Sequence, residues 1–115
     1  MDEDAQPIAR MPAKDFFIQE AIDKKPSLCR LIGYVVSLDP LSFVLNDGES
    51  QIQIEYGSIP TSTLKLMQPF RIICKLQEIE GGIKFIGQFA HKMLPEDFEK
   101  YKTIISLERR IAYPE

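Results

Sequence analysis

A chain of 115 residues and 13.2 kDa, 44% apolar and 27% charged, has the size and composition of one globular domain around one hydrophobic core. Fourteen Lys and Arg against 17 Asp and Glu give a formal charge of −3 and a pI near 5.2, which excludes the basic coat of a histone-like or basic-arm nucleic-acid binder. The longest apolar stretch, Leu31 to Val36, is far short of the roughly 20 residues that cross a bilayer, and the opening Met1-Asp2-Glu3-Asp4 is acidic where a signal peptide would be basic, so an intracellular chain without membrane contact is expected.

Residues 1 to about 10 lack apolar periodicity and read as a flexible tail. Phe16, Phe17 and Ile18 are too apolar for free solvent and are expected to dock on the rest of the chain or on a partner, and Asp23-Lys24-Lys25-Pro26 reads as a turn. Residues 1–26 are therefore assigned as a tail and docking segment. From Ser27 the period changes to two. Cys29 to Ser37 is rich in β-branched and aromatic residues, with Gly33 marking a bulge or bend, and Leu41 to Leu45 forms a second strand. Asn46-Asp47-Gly48-Glu49 is a hairpin turn. Gln51 to Tyr56 alternates cleanly, with Ile52, Ile54 and Tyr56 on one face and Gln51, Gln53 and Glu55 on the other.

A connector from Gly57 to Gln68 has room for one or two helical turns, and Phe70 to Leu76 and Ile83 to Ala90, joined by Gly81-Gly82, are the fourth and fifth strands. Five short strands in about 65 residues, with the longest gap after the third, are the spacing of a small closed barrel of OB-fold type, assigned to residues 27–93. Residues 94–112 then read as one amphipathic helix. Pro95 stands at its first position, Glu96 and Asp97 lie in its first turn, and Phe98, Tyr101, Ile104, Ile105 and Ile111 fall at spacings of three, four and seven. The expected fold class is all-β with a C-terminal helix.

The chemistry on offer is thin. Cys29, Cys74 and His91 do not make a four-ligand zinc site without carboxylate help, and no C-x-x-C or H-x-x-x-H spacing occurs. No nucleophile or phosphate-loop motif is present, so no cofactor, metal or catalysis is expected. Strand parity places Cys29 opposite Cys74 inside the barrel, where free thiols are favoured over a conceivable cross-strand disulfide.

Within residues 27–93 six cations, Arg30, Lys65, Arg71, Lys75, Lys84 and Lys92, balance six acids, so the acidic excess lies outside the barrel. Parity turns Arg30, Arg71, Lys75 and Lys84 outward as candidate phosphate contacts, with Tyr34 as the one nearby stacking ring; solvated surface charges are an equally good reading. Phe43, Phe85 and Phe89 take inward parity and are assigned to the core. The helical stripe is larger than a plug for so small a barrel requires, which makes Phe98, Tyr101, Ile104, Ile105 and Ile111 a candidate partner interface.

Phe43-Val44-Leu45-Asn46-Asp47-Gly48-Glu49, followed by Leu94-Pro95-Glu96-Asp97-Phe98-Glu99-Lys100-Tyr101 directly after strand five, resembles the single-OB subunits of the replication protein A family, the heterotrimeric single-strand binder of archaea and eukaryotes. Arg10 to Ile18 is similar to the leading segment of archaeal subunits of that family, which points to an archaeal origin. The resemblance spans about residues 10 to 112. It implies a small or middle subunit joined to two other OB-fold subunits through a three-helix bundle of C-terminal helices, with single-stranded DNA in the complex and a cytoplasmic or nuclear setting. Gln51, Gln53 and Glu55 stand where the family's gripping barrels expose aromatic rings, and this implies an assembly role with weak DNA contact. A self-sufficient module binding single-stranded DNA or RNA is the alternative, and trimers protecting telomeric ends share the architecture.

Overall fold

The computed structural model describes residues 14–112, with side chains to Arg109. The elements are β1 (Lys14–Asp15), α1 (Ile18–Lys24), β2 (Leu28–Leu38), β3 (Ser42–Asn46), β4 (Gln51–Glu55), a 3-10 turn (Thr61–Thr63), β5 (Pro69–Ile79), β6 (Gly82–Lys92) and α2 (Pro95–Ala112). The expected flexible tail over residues 1 to about 10 lies outside the described residues.

Alternation dictates the barrel. Leu31, Val35, Phe43, Leu45, Ile54 and Ile72 recur at every second strand position and are fully buried, while their neighbours face outward. Each such side chain contributes about 1.5–3 kcal/mol by leaving water, and only closure of the sheet buries them all. Closure runs β2-β3-β4-β6-β5 and back to β2, antiparallel throughout except for β4 beside β6, where Ile54 pairs with Phe85 and Glu55 with Ile86. This is the five-stranded barrel with a terminal helix that the sequence predicts.

One strand serves two neighbours because of a glycine. β2 pairs with β5 from Leu28 to Tyr34 and with β3 from Tyr34 to Leu38. At the crossover a Cβ on Gly33 would stand 2.7 Å from the Asn46 carbonyl oxygen, a distance no side chain tolerates, so Gly33 lets β2 pass close over β3. β1 lies parallel to β2, with Asp15 opposite Arg30.

Both ends of the barrel are filled from outside the strands. Ile59 and Leu64 of the β4–β5 connector join the core, and so do Ile18 and Ala21 of α1. The docking segment therefore holds a helix, which runs through Asp23 and Lys24 where a turn was expected. Its first turn is satisfied from a distance: the Ile18 N–H donates to Asp47 Oδ2 at 3.0 Å, and the Phe17 N–H donates to Glu20 Oε1 at 2.9 Å. Asp47, 3% exposed, also accepts the N–H groups of Glu49 and Ser50, so one carboxylate builds the β3–β4 turn and caps α1. The helix ends at Lys25, whose left-handed backbone (φ 52) returns its N–H to the Ala21 carbonyl.

A second, smaller cluster lies between α2 and the outside of β2 and β5. Ile32, Met93, Phe98 and Ile105 are buried there, with Phe17, Tyr34 and Tyr101 packed at its edges.

Candidate nucleic-acid and partner interfaces

Arg30, Arg71 and Lys75 do share the outer face of β2 and β5, as alternation requires, but α2 lies across that face. Arg30 is held by Asp15 in two hydrogen bonds, 2.6 and 3.2 Å, and the Asp15 bond raises its already high pKa. Tyr34 meets Phe98 edge to face, with ring centroids 5.0 Å apart, so its face is committed to the helix. Arg71 donates to Tyr101 Oη at 3.0 Å, lies 5.1 Å from that ring's centroid and has His91 Nδ1 3.3 Å away. Lys75 is exposed, and Lys84 faces Glu55 at 3.5 Å across β4 and β6. The structure thus gathers Arg71, His91 and Tyr101, secures Arg30 separately, and leaves Lys84 on another part of the wall.

The outer face of β3 and β4 is polar and tied to itself. Gln53 Nε2 donates to Ser42 Oγ at 2.8 Å and Asn46 Nδ2 to Gln51 Oε1 at 3.0 Å. Among the described residues this face turns no aromatic ring outward, so bases would find hydrogen-bonding edges there but no stacking platform.

Phe89 requires a correction. Phe43 and Phe85 are core residues, 0% and 2% exposed, whereas Phe89 is 57% exposed on the outside. The cause is an extra residue in β6: Ile73 pairs with Phe89 but Cys74 pairs with Gly87, so Gln88 bulges and the alternation inverts beyond it. Period-two counting from Phe85 misses this; Gly87, a glycine inside the strand beside the bulged Gln88, is the local signal that announces it.

The helical stripe is corrected in the same way. Successive helical residues are turned by about 100°, and here that turn brings Ile105 onto the barrel and leaves Ile104 in solvent. Phe98 and Ile105 are 3% and 1% exposed against the barrel, and Tyr101 is half-buried over Arg71. Ile104 is 48% exposed, and Leu107, which the sequence reading passed over, is 47% exposed. The side chain of Ile111 lies outside the described residues. Among the described residues, Ile104 and Leu107 are therefore the exposed apolar side chains of α2, while Phe98 and Ile105 fasten the helix to its own barrel.

Arg109 completes the arrangement. Its guanidinium donates to both Glu20 carboxylate oxygens, at 2.5 and 3.0 Å, and to the Asp15 carbonyl, and it lies over the Phe16 ring. Burial alone would raise the Glu20 carboxyl, but the hydrogen bonds from Arg109 and the Phe17 N–H, with the charges of Arg109 and Lys24, outweigh it and hold the group below its usual value.

Inside the barrel, Cys29 and Cys74 face each other across β2 and β5 as free, buried thiols. Burial pushes Cys29 up to about 12, and burial together with its neighbour raises Cys74 as well, so both stay protonated and unreactive. Among the described residues no three His, Cys, Asp or Glu side chains converge as a metal site.

The chain has the OB-fold. No protein-family model matches the sequence, and no curated protein does. Among solved structures, a chain of the S. pombe Stn1–Ten1 complex is similar over 90% of this chain and 98% of its own, with a TM-score of 0.73 and 19% identity. The S. pombe telomere capping protein Ten1 is similar over 86% and 99%, with a TM-score of 0.70 and 19% identity. A chain of a replication protein A heterotrimer bound to single-stranded DNA is similar over 76% and 74%, with a TM-score of 0.60 and 10% identity.

Proposed function

We propose that the chain is a non-catalytic subunit of a multi-subunit assembly that binds single-stranded DNA, in which α2 joins it to other OB-fold subunits and its own barrel contacts DNA weakly. The observation that carries this reading is the division of α2 into two apolar sides, Phe98 and Ile105 against the barrel and Ile104 and Leu107 in solvent. A helix needed only as a lid has no use for the second side. Weak DNA contact follows from Arg30 and Arg71 being engaged within the chain and from the ring-free β3–β4 face. Of the replication protein A and telomere-capping arrangements, the second is favoured, because similarity to Ten1 and to the chain of the Stn1–Ten1 complex extends over nearly their whole length at the higher TM-scores.

The test is purification of the tagged full chain from its source cells, as wild type and as the Ile104→Asp/Leu107→Asp double variant, with fluorescence anisotropy on a labelled oligothymidine. Stoichiometric OB-fold partners are expected with the wild type and absent from the variant, whose thermal midpoint stays unchanged. The isolated chain binds DNA far more weakly than the assembly. Tight, salt-sensitive binding by the isolated chain, unaffected by the double variant, would replace this reading with that of a self-sufficient module.

A further inference from the structure

Where the β2–β3 loop, the end of β4 and the start of the β4–β5 connector meet, a cleft of about 520 Å³ opens in the barrel wall, a volume in the range of ligand sites. We propose that this cleft is a second binding site, and that it takes an arginine side chain presented by a segment of a protein partner. It is separate from the assembly element, since α2 packs on β2 and β5 and contributes no residue to the cleft.

Backbone contacts set the walls. The Leu41 carbonyl accepts from the Tyr56 N–H at 3.3 Å, and the Asp39 N–H donates to the Ser42 carbonyl at 2.9 Å, which ties the β2–β3 loop to β4. Gly57 then turns the chain with φ 57, at a point where a Cβ would stand 2.1 Å from the Gly87 carbonyl oxygen. The Ile59 N–H closes that turn on the Tyr56 carbonyl at 2.8 Å. Pro40, Leu41, Ile59 and Pro60 supply the apolar lining. Leu41 is 81% exposed, so the lining offers surface for the stem of a long side chain to cover.

The polar groups select the head of that side chain. Tyr56 is 8% exposed and its ring packs on Phe43, with centroids 5.4 Å apart, yet no described residue bonds its hydroxyl. The hydroxyl is not sealed in. Gln68 Oε1 alone among the described residues is an enclosed side-chain polar atom without a partner, so the accessible part of Tyr56 includes its tip, on the cleft that it lines. Burial, with the charge of Asp39 second, raises this hydroxyl above its ordinary value, so it stays neutral and lies within the field of the Asp39 carboxylate. Asp39 is exposed and forms no ion pair with a described cation, whereas Glu55, in the lining, has Lys84 at 3.5 Å. Asp39 and Glu55 against Lys84 leave the charge of Asp39 uncompensated.

An arginine completes this set. Its stem covers Leu41 and the two prolines, while its planar head donates to the Tyr56 oxygen and the Asp39 carboxylate together, a charge-assisted pairing. The ammonium of a lysine is more strongly hydrated and has no fork to span both acceptors. A phosphate backbone would meet Asp39 and Glu55 and be repelled.

The test is an NMR titration of the isotope-labelled full chain with a blocked alanine pentapeptide carrying arginine at its centre, with the lysine and norleucine versions of that peptide, and with oligothymidine. The arginine peptide is expected to shift the Leu41 methyl signals and the Thr61 amide, and the lysine peptide to bind about fivefold more weakly. Tyr56→Phe, which keeps the ring on Phe43, and Asp39→Asn are each expected to weaken the arginine peptide by about fivefold, with thermal midpoints unchanged. Absence of shifts with the arginine peptide, equal binding of the lysine or norleucine version, or an affinity that neither substitution moves overturns the proposal. Stronger shifts of the same signals by oligothymidine overturn it in favour of a nucleic-acid groove. The assembly reading stands or falls separately, at Ile104 and Leu107.

Discussion

The barrel interior and the layer between α2 and the barrel use the same kinds of side chain to different ends. Inside the barrel the strands settle every position twice, by alternation along one strand and by register with two neighbours, and the result is nine strand side chains exposed by 1% or less, all of them aliphatic, aromatic or thiol. The helical layer has four buried residues, and its border is polar: Tyr101 accepts from Arg71, and Arg109 holds Glu20. The first is a chassis that keeps its shape. The second is an attachment that sets where Ile104 and Leu107 stand.

The sharpest test of that difference is removal of one large side chain from each region. Phe43→Ala opens a void at the centre of the barrel and is expected to cost about 3–5 kcal/mol, lowering the denaturant midpoint of the whole domain. Ile105→Ala removes the corresponding contact from the helical layer and is expected to cost about 2 kcal/mol, because a layer of four buried residues collapses on the void more readily than a closed barrel. Hydrogen exchange separates the two regions: amides of α2 lose protection first in Ile105→Ala while those of β2 and β5 keep it. Equal loss of protection in strands and helix would show that the two regions are one cooperative unit.

The smallest effect belongs to the ionic border. Arg109→Ala is expected to cost about 1 kcal/mol, since the pair is partly exposed. Its pH dependence has a definite sign. The Glu20 carboxyl lies below its ordinary value of 4.5 in the folded chain, so the stability it contributes is complete above that value and is lost as the pH falls through the lower folded one. Thermal midpoints of wild type and Glu20→Gln should therefore converge on acidification and differ most near neutrality.

Most of the barrel was legible in the sequence, because a half-buried strand writes its face into every second residue. Gln51 to Glu55 reads correctly for that reason, as do Cys29 and Cys74 as interior partners. Most of the exceptions depend on residues far away in the chain. α1 escaped notice because Phe17 offers no capping oxygen of its own and Asp47 supplies one from 29 positions downstream. Phe89 was assigned to the wrong face because a single bulged residue inverts all that follows it. The candidate cations had correct parity, but parity says nothing of what lies on top, and α2 covers Arg71 and the ring of Tyr34. The helical stripe was recognised whole and divides at Ile104 and Ile105, a boundary that becomes visible only once the barrel surface is in place.

Glu20 and Arg109 stand 89 positions apart, and their pairing has a consequence for synthesis. Chains are made from the amino terminus onward, and folding follows emergence from the ribosome. The five strands can meet once β6 is out, but α1 gains its cationic partner only after α2 has followed. The joint between the two helices is the last of these seams to close, and until then α2 is held by Phe98, Tyr101 and Ile105. A nascent chain that has emerged only as far as β6 would thus present a closed barrel whose α1 still lacks its cationic partner.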